Sequence, residues 1–380
     1  MIYTSYYANL KNIDPNITTI SISLYPPQYI KTDFHIKELC PNPSLLHSYK
    51  KEPSEKDYIS RFNKQLDNVD LKSILDPILD KEKDIVLLCY EKPSDFCHRQ
   101  LVAERIESLY NMNVQEYGYE YSLRRNGKIF SRELERIAII GSRTTTNYGL
   151  IQRELLKYIG KKNVIIVSGG AKGADSLGEK FAEEFGYQTD IFYPDWDKHG
   201  KGAGFIRNSD IIENSDIIFA FTTGSKGTED SIKKAIKKGK IVFKYTISHK
   251  HKNVLFVKKY NKKMCLDNQN NIFVFGDNLL QKGNAGQAQI RECINSFGIP
   301  TKRLPSMNKV SFFSDQDDER DAVLRALREL FKYSNIILPI DGLGTGLASM
   351  KEKSPLLFNE MNLIIDKYFL GLISFEKFST

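Results

Sequence analysis

Three short runs of this 380-residue chain place glycine, hydroxyl and charged residues where phosphate chemistry could occur. They are "IIGSRTTTNYG" (139–149) with Gly141, Ser142 and Arg143, "VSGGAKGADSL" (167–177) with Gly169, Gly170 and Gly173, and "FTTGSKGTEDSI" (221–232) with Gly224, Gly227 and Thr228. Each joins an apolar run to a helix-like pattern. A strand that ends in glycines and enters a helix N-terminus offers unpaired N–H groups and the positive end of the helix dipole, so phosphates settle there. Glycine in regular structure costs about 0.5–1 kcal/mol relative to alanine, so such clusters mark a close approach to the backbone. None of the runs carries a Gly-Lys-Ser/Thr P-loop or a complete G-x-G-x-x-G fingerprint, which disfavours ATP hydrolysis and hydride transfer. A nucleotide-sized ligand is the expectation.

A second candidate is Cys97-His98-Arg99, expected in the first turn of a helix capped by Ser94 or Asp95. A thiol there, beside a cation, would have its thiolate favoured, and Arg99 could hold an anion. The alternative is that Cys97 packs against a sheet while His98 and Arg99 are solvated. Cys89 reads as core. The five cysteines are odd in number and lack paired metal-ligand spacing, which implies reduced thiols, no metal and a cytoplasmic protein, bacterial or in an infected host.

These residues need elements to hold them, and the pattern is of three consecutive α/β domains, 1–130, 131–248 and 249–380. The first has strand-like runs at 18–25 and 84–90, an unresolved polar middle, and a helix from 97. The second alternates five apolar runs (136–141, 163–170, 188–194, 216–221 and 240–245) with helices, which predicts a Rossmann-like, doubly wound parallel sheet with ligands at the carboxyl ends of its strands. In its second helix Ala174, Leu177, Phe181, Ala182 and Phe185 share a stripe. The third has strand-then-glycine loops at 271–280 and 335–347, and a charged helix at 317–333.

The net charge of +8 suggests an anionic partner. Thirteen lysines against two acidic residues between 226 and 263 read either as a solvated linker and helix face at a domain boundary or as a nucleic-acid surface. No apolar run approaches the ~20 residues that span a bilayer, and the start lacks a signal-peptide pattern, so no membrane partner is expected. A homo-oligomer stays open.

"GSR", "SGGAKGADSLGEKFA", "DW" (195–196), "KHGKGAGFIRN" (198–208) and "GSKGTED" together resemble the YspA-like branch of the SLOG superfamily. SLOG domains are similar to the Lonely Guy phosphoribohydrolases and to the DNA-processing protein that loads recombinase on single strands. The resemblance implies a pocket for a nucleotide or ribosyl derivative, bordered by the glycine-loop residues above together with Ser168, Lys172, Asp175, Asp195, Trp196, Arg207, Asn208 and Ser225. The phosphoribohydrolases carry a catalytic glutamate where this chain has Ser231. Glu229 or Asp230 would have to replace it, and both read equally well as solvated acids of a first helical turn.

"FVFGDNLLQKGNAGQAQI" (273–290) with "LPIDGLGTGLASMKEKSP" (338–355) is distantly similar to a macro domain, and closer to small bacteriophage proteins with Gly-Asp-Asn-Leu-Leu followed by Gly-Ile-Pro-Thr-Lys. That resemblance implies an ADP-ribose-like ligand held by Asp277, Asn278, Gly286 and Gln287, ahead of a helix at about 286–295, and by Gly342, Gly344 and Gly346. The alternative is glycine loops that only turn the chain. The first block resembles an uncharacterised bacterial family with the Cys-His-Arg signature. Together the resemblances imply a sponge or sensor for a nucleotide or an NAD- or ADP-ribose-type molecule, in the setting of phage–host conflict. The alternatives are an N-glycosidic or ribosyl hydrolase and a single-stranded nucleic-acid-binding protein.

Overall fold

The apolar runs become strands buried on both faces, as parallel sheets covered by helices require. The computed structural model describes residues 1–79, 84–93, 95–119, 122–131 and 134–379. They fall into two compact units, Met1–Glu135 and Arg136–Thr380. Among the described residues no helix is long and apolar enough to cross a membrane.

In the first unit a five-stranded parallel sheet runs in the order Phe34–His35, Thr18–Ser21, Ile85–Cys89, Ile2–Tyr6, Gln115–Glu116. Its middle strand is buried throughout. The unpatterned polar stretch folds as helices Pro43–Lys51, Glu55–Leu66 and Leu71–Leu79. The first two open on Asn42 and Ser54, whose side chains accept from the N–H groups of Leu45 and Asp57. Their apolar faces join Ile20, Leu87 and Leu101 in one core. Helix His98–Tyr110 begins after an extended Cys97 with no side-chain cap. Asp95 is therefore not the cap expected of it, and Ser94 lies outside the described residues.

The second unit holds a six-stranded sheet in the order Gln188–Ile191, Val164–Ser168, Glu135–Gly141, Ile217–Thr222, Ile241–Ile247, Leu372–Phe378. Strand Ile217–Thr222 pairs in parallel with both of its neighbours, and Gln188–Ile191 pairs in parallel with Val164–Ser168. Strand order steps one way from Glu135–Gly141 and then reverses at Ile217–Thr222, the doubly wound arrangement, which opens a crevice between those two strands. Ala174, Phe181 and Ala182 of helix Ala174–Phe185 are buried as the stripe demands. A four-stranded parallel sheet follows: Asn253–Val257, Asn335–Pro339, Ile272–Asn278, Ser296–Lys302.

The lysine-rich stretch includes the expected helix face but is no linker. It forms helix Lys226–Lys237 and strands Ile241–Ile247 and Asn253–Val257, so the expected boundary at 248–249 falls inside one unit. Strand Leu372–Phe378 returns to pair antiparallel with Ile241–Ile247. Helix Tyr148–Ile159 lies on strand Asn253–Val257, where Phe256 N–H donates to Gln152 Oε1 at 2.8 Å. One apolar core extends from Ile137 to Leu370. The helix expected at 286–295 is instead a single 3-10 turn, Gly286–Ile290, entered through Gly286 at a φ of +60°.

Gly149 is where helix and strand meet, since a Cβ there would lie 1.9 Å from the carbonyl oxygen of Val254. Overpacking typically costs about 1–3 kcal/mol, and a rigid backbone neighbour puts Gly149→Ala at the upper end of that range. Urea denaturation of the variant should show the loss. An unchanged midpoint would contradict this contact.

Candidate functional site

At the crevice, the loops that leave strands Glu135–Gly141 and Ile217–Thr222 are stitched together. Ser142 N–H donates to Phe221 O at 3.0 Å, Thr223 N–H donates to Ser142 Oγ at 3.0 Å, and Ser142 Oγ donates to Ser225 Oγ at 3.1 Å. They border a cavity of about 370 Å³ lined by Ile140 to Thr144, Ala171, Asp175, Arg207, Asn208, Ile211, Ser225, Gly227, Thr228 and Ser231. Its wall is a connected polar chain. Asp175 Oδ2 accepts from Gly169 N–H at 3.2 Å and lies 3.7 Å from Arg207 Nη1, which also donates to Gly169 O. Arg207 Nε donates to Asn208 Oδ1 at 3.0 Å, Asn208 Nδ2 to Ser231 Oγ at 3.1 Å, and Ser231 Oγ to Gly227 O at 3.0 Å.

Two opposing effects act on this pair. Burial raises the Asp175 carboxyl to about 6 although the Arg207 cation pulls it down, so desolvation wins. Burial, with Arg143 nearby, lowers Arg207, and only Asp175 opposes that. The cavity therefore gathers two guanidinium groups around one carboxylate that is already engaged, a balance that favours an anion.

The glycines divide by what approaches them. A Cβ at Gly169 would meet Arg207 Nη1 at 2.0 Å, so the bare backbone there admits a guanidinium of the protein itself. At Gly227 a Cβ would meet nothing within 4 Å, although the residue lines the cavity. Gly227 is where the chain leaves backbone open to a visitor.

Of the residues expected to bind ligand, Gly141, Ser142, Arg143, Asp175, Arg207, Asn208, Ser225, Gly227 and Thr228 border the cavity. Ser168, Gly169, Gly170, Lys172, Gly173, Asp195, Trp196 and Gly224 are not among its lining. Ser168 is fully buried and donates to Glu179, and Asp195 caps helix Trp196–His199 by accepting from Lys198 N–H. Glu229 and Asp230, the expected acids, do not line it either. Glu229 pairs with Lys244 at 3.2 Å and Asp230 with Lys234 at 2.8 Å. A helix turns about 100° per residue, so the face that presents Gly227, Thr228 and Ser231 carries the two acids away. Ile140, Thr144, Ala171 and Ile211 went unnoticed as lining residues in the sequence. Thr144 continues the "SRTTT" run, but Ala171 and Ile211 had no signal apart from the fold.

The third block has a cavity of its own, of about 400 Å³, with Asp277, Asn278, Gly286, Gln287, Gly344 and Gly346 in its wall beside Lys302 and Arg291. Gly342 is not in the lining, and its carbonyl accepts from Gln287 Nε2 at 3.1 Å. Arg291 grips Asp277 through two hydrogen bonds of 2.6 Å. Lys302 Nζ donates to Leu347 O at 3.0 Å, and burial pushes its pKa down.

In the Cys-His-Arg segment Cys97 is buried, as the second alternative had it, while the favoured thiolate and the solvated His98 and Arg99 are corrected. Burial pushes the Cys97 thiol well above its ordinary value, so no thiolate is favoured in this arrangement. Arg99 is fully buried and pairs with Glu116 at 3.0 Å, with Nη1 on the Glu91 carbonyl at 2.6 Å, which leaves it engaged within the protein and not solvated. His98 is buried as well. Cys89 is more than core, since its Sγ lies 3.7 Å from His98 Nδ1.

A doubly wound parallel sheet with a polar cavity at its reversal point makes this part of the second unit a Rossmann-like α/β fold. Residues 135–199 match the YspA, cpYpsA-related SLOG family, residues 2–109 the active DUF488-N3 subclade, and residues 255–363 a family of unknown function, DUF7831. The chain is 32% identical over 117 residues to the Gene 61 protein of Mycobacterium phage D29, which covers 28% of this chain and 92% of that protein. Over that stretch the chain belongs to the family of the phage protein. Among solved structures it is similar to DNA processing protein A from Streptococcus pneumoniae, with 14% identity, 58% of this chain and 82% of that chain covered, and a TM-score of 0.26. A superposition that loose says nothing about function.

The raised carboxyl of Asp175 carries a pH signature. A folded-state value near 6 against an unfolded value near 3.8 means that the folded protein binds more protons between those limits. Stability should fall as pH rises from about 4 to about 6 and level off above, by at most ~3 kcal/mol. Asp175→Asn should remove that slope. Urea midpoints measured from pH 4 to 7 check it, and a wild-type-minus-variant difference that is flat across this range would contradict it.

Proposed function

We propose that the cavity between Gly141 and Thr228 holds a compact phosphorylated ribosyl ligand of the nucleotide class, and that the protein sequesters or senses it without turnover. The observation that carries this reading is the pairing of Arg143 and Arg207 with an open backbone at Gly227, at the N-terminus of helix Lys226–Lys237. Cation and helix dipole act together on a phosphate there. Cleavage of an N-glycosidic bond needs a carboxylate to stabilise the oxocarbenium-like sugar or to activate water. Asp175 is the one acid among the described lining residues, and it is held by Arg207 and Gly169 N–H. Ser231, at the position of the phosphoribohydrolase glutamate, is hydrogen-bonded to Asn208 and Gly227.

The cavity beside Lys302 and Gly344 is the proposed place for the ADP-ribose-like ligand that the resemblance of the third block implies. Its support is Lys302, which meets the Leu347 carbonyl, the Met307 thioether and the Phe312 ring.

Calorimetry with nucleoside monophosphates, NAD and ADP-ribose tests the first reading. Gly227→Val, which has room in the free protein, should weaken binding at least tenfold while leaving the denaturation midpoint within about 0.5 kcal/mol of wild type. Undiminished affinity would overturn the site. Chromatography should recover the ligand intact. Release of free base that disappears in a Glu229→Gln, Asp230→Asn double variant would establish a hydrolase instead. Affinity that falls steeply with salt would mark the nucleic-acid reading, because a compact ligand releases few counterions.

A further inference from the structure

The end of strand Ile85–Cys89 and the start of helix His98–Tyr110 bring Cys89, Cys97 and His98 together. Their two sulfurs and one ring nitrogen lie within 4.8 Å of one another, and all three residues are buried. This is the one such cluster among the described residues. Its size suits an ion. A tetrahedral zinc centre with Zn–S about 2.3 Å and Zn–N about 2.0 Å has an S···N edge of roughly 3.5 Å, and Cys89 Sγ stands 3.7 Å from His98 Nδ1.

The surroundings point the same way. His98 Nε2 meets the Ile22 carbonyl at 2.8 Å. A carbonyl only accepts, so Nε2 carries a proton, and in the neutral ring Nδ1 turns a lone pair to the thiols. Proteins orient metal-binding histidines with this hydrogen bond from the far ring nitrogen. Glu91 Oε2 accepts from Cys89 Sγ at 3.3 Å. Arg99 lies close by and donates to the Glu91 carbonyl, a cation beside ligands that become anionic on binding.

We propose that Cys89, Cys97 and His98 form a binding site for a zinc-type divalent cation, with the fourth position left to a solvent molecule. Two thiolates and a neutral imidazole balance the charge of the dication. Both thiols give up their protons to solvent as the ion binds, no electron is transferred, and affinity rises with pH. The site joins the middle strand of the first sheet to the helix that covers it, and His98 extends the link to Ile22 beside strand Thr18–Ser21.

The test uses the full chain, purified under reductant, incubated with zinc or with cobalt, and dialysed. Elemental analysis should find one equivalent of metal retained. The cobalt form should show thiolate-to-metal charge transfer and the intense d–d bands of a tetrahedral centre. A Cys40→Ser, Cys265→Ser, Cys293→Ser triple variant should keep the metal, whereas Cys89→Ser and Cys97→Ser should each lose at least tenfold in affinity. If the buried cysteine variants do not fold, the wild-type stoichiometry and cobalt spectrum decide alone. No stoichiometric retention, weak octahedral-type bands, or retention undiminished in the folded Cys89→Ser and Cys97→Ser variants would each overturn the proposal. So would a Cys89–Cys97 disulfide that, once reduced, takes up no metal.

Discussion

The close parallel pairing of strands Glu135–Gly141 and Ile217–Thr222 is the constraint on which the ligand cavity depends. The strand order reverses between them, so their outgoing loops diverge and leave a crevice that helices cannot cover. Gly141 makes the approach possible, because a Cβ there would lie 2.2 Å from the Phe221 carbonyl. Ser142 then ties the two loops with three hydrogen bonds, which sets the width of the mouth.

Electrostatics give the cavity its preference. Arg207 enters through the space left by the missing side chain of Gly169 and meets Asp175, which burial has made reluctant to ionise. A half-compensated guanidinium with a second one nearby attracts an anion, and the helix Lys226–Lys237 adds its N-terminal dipole. What a hydrolase would require, an unengaged acid facing the sugar, is absent from the described lining. Binding and turnover thus separate on a geometric point: which residues of one helical turn face inward.

The second unit also illustrates how α/β blocks merge. Strand Leu372–Phe378 crosses back to cover the edge of the six-stranded sheet, an edge that would otherwise expose unpaired backbone groups. Helix Tyr148–Ile159 serves both sheets, with Gln152 on Phe256 and Arg153 on Asp366. A segment matching the SLOG family and one matching DUF7831 therefore share one core.

The strands were legible in the sequence because buried parallel strands are short, continuous apolar runs, and five such runs placed the glycine loops at the correct ends of the sheet. The nine cavity residues recognised beforehand sit on those loops or on helix Ala203–Glu213, where local pattern and tertiary position coincide. In the lysine-rich stretch the helix face and the run at 240–245 were legible, but strand Asn253–Val257 was not, since its flanking lysines read like a linker. Only the tertiary structure decided that Glu229 and Asp230 turn from the cavity, that Arg99 is spent on Glu116, and that Cys89 meets Cys97 and His98. Each of these depends on contacts between segments distant in sequence or on the rotation of a helix against a sheet. Local pattern carries the periodicity of an element, whereas the direction in which a charged side chain finally points is set by the partners that desolvation obliges it to find.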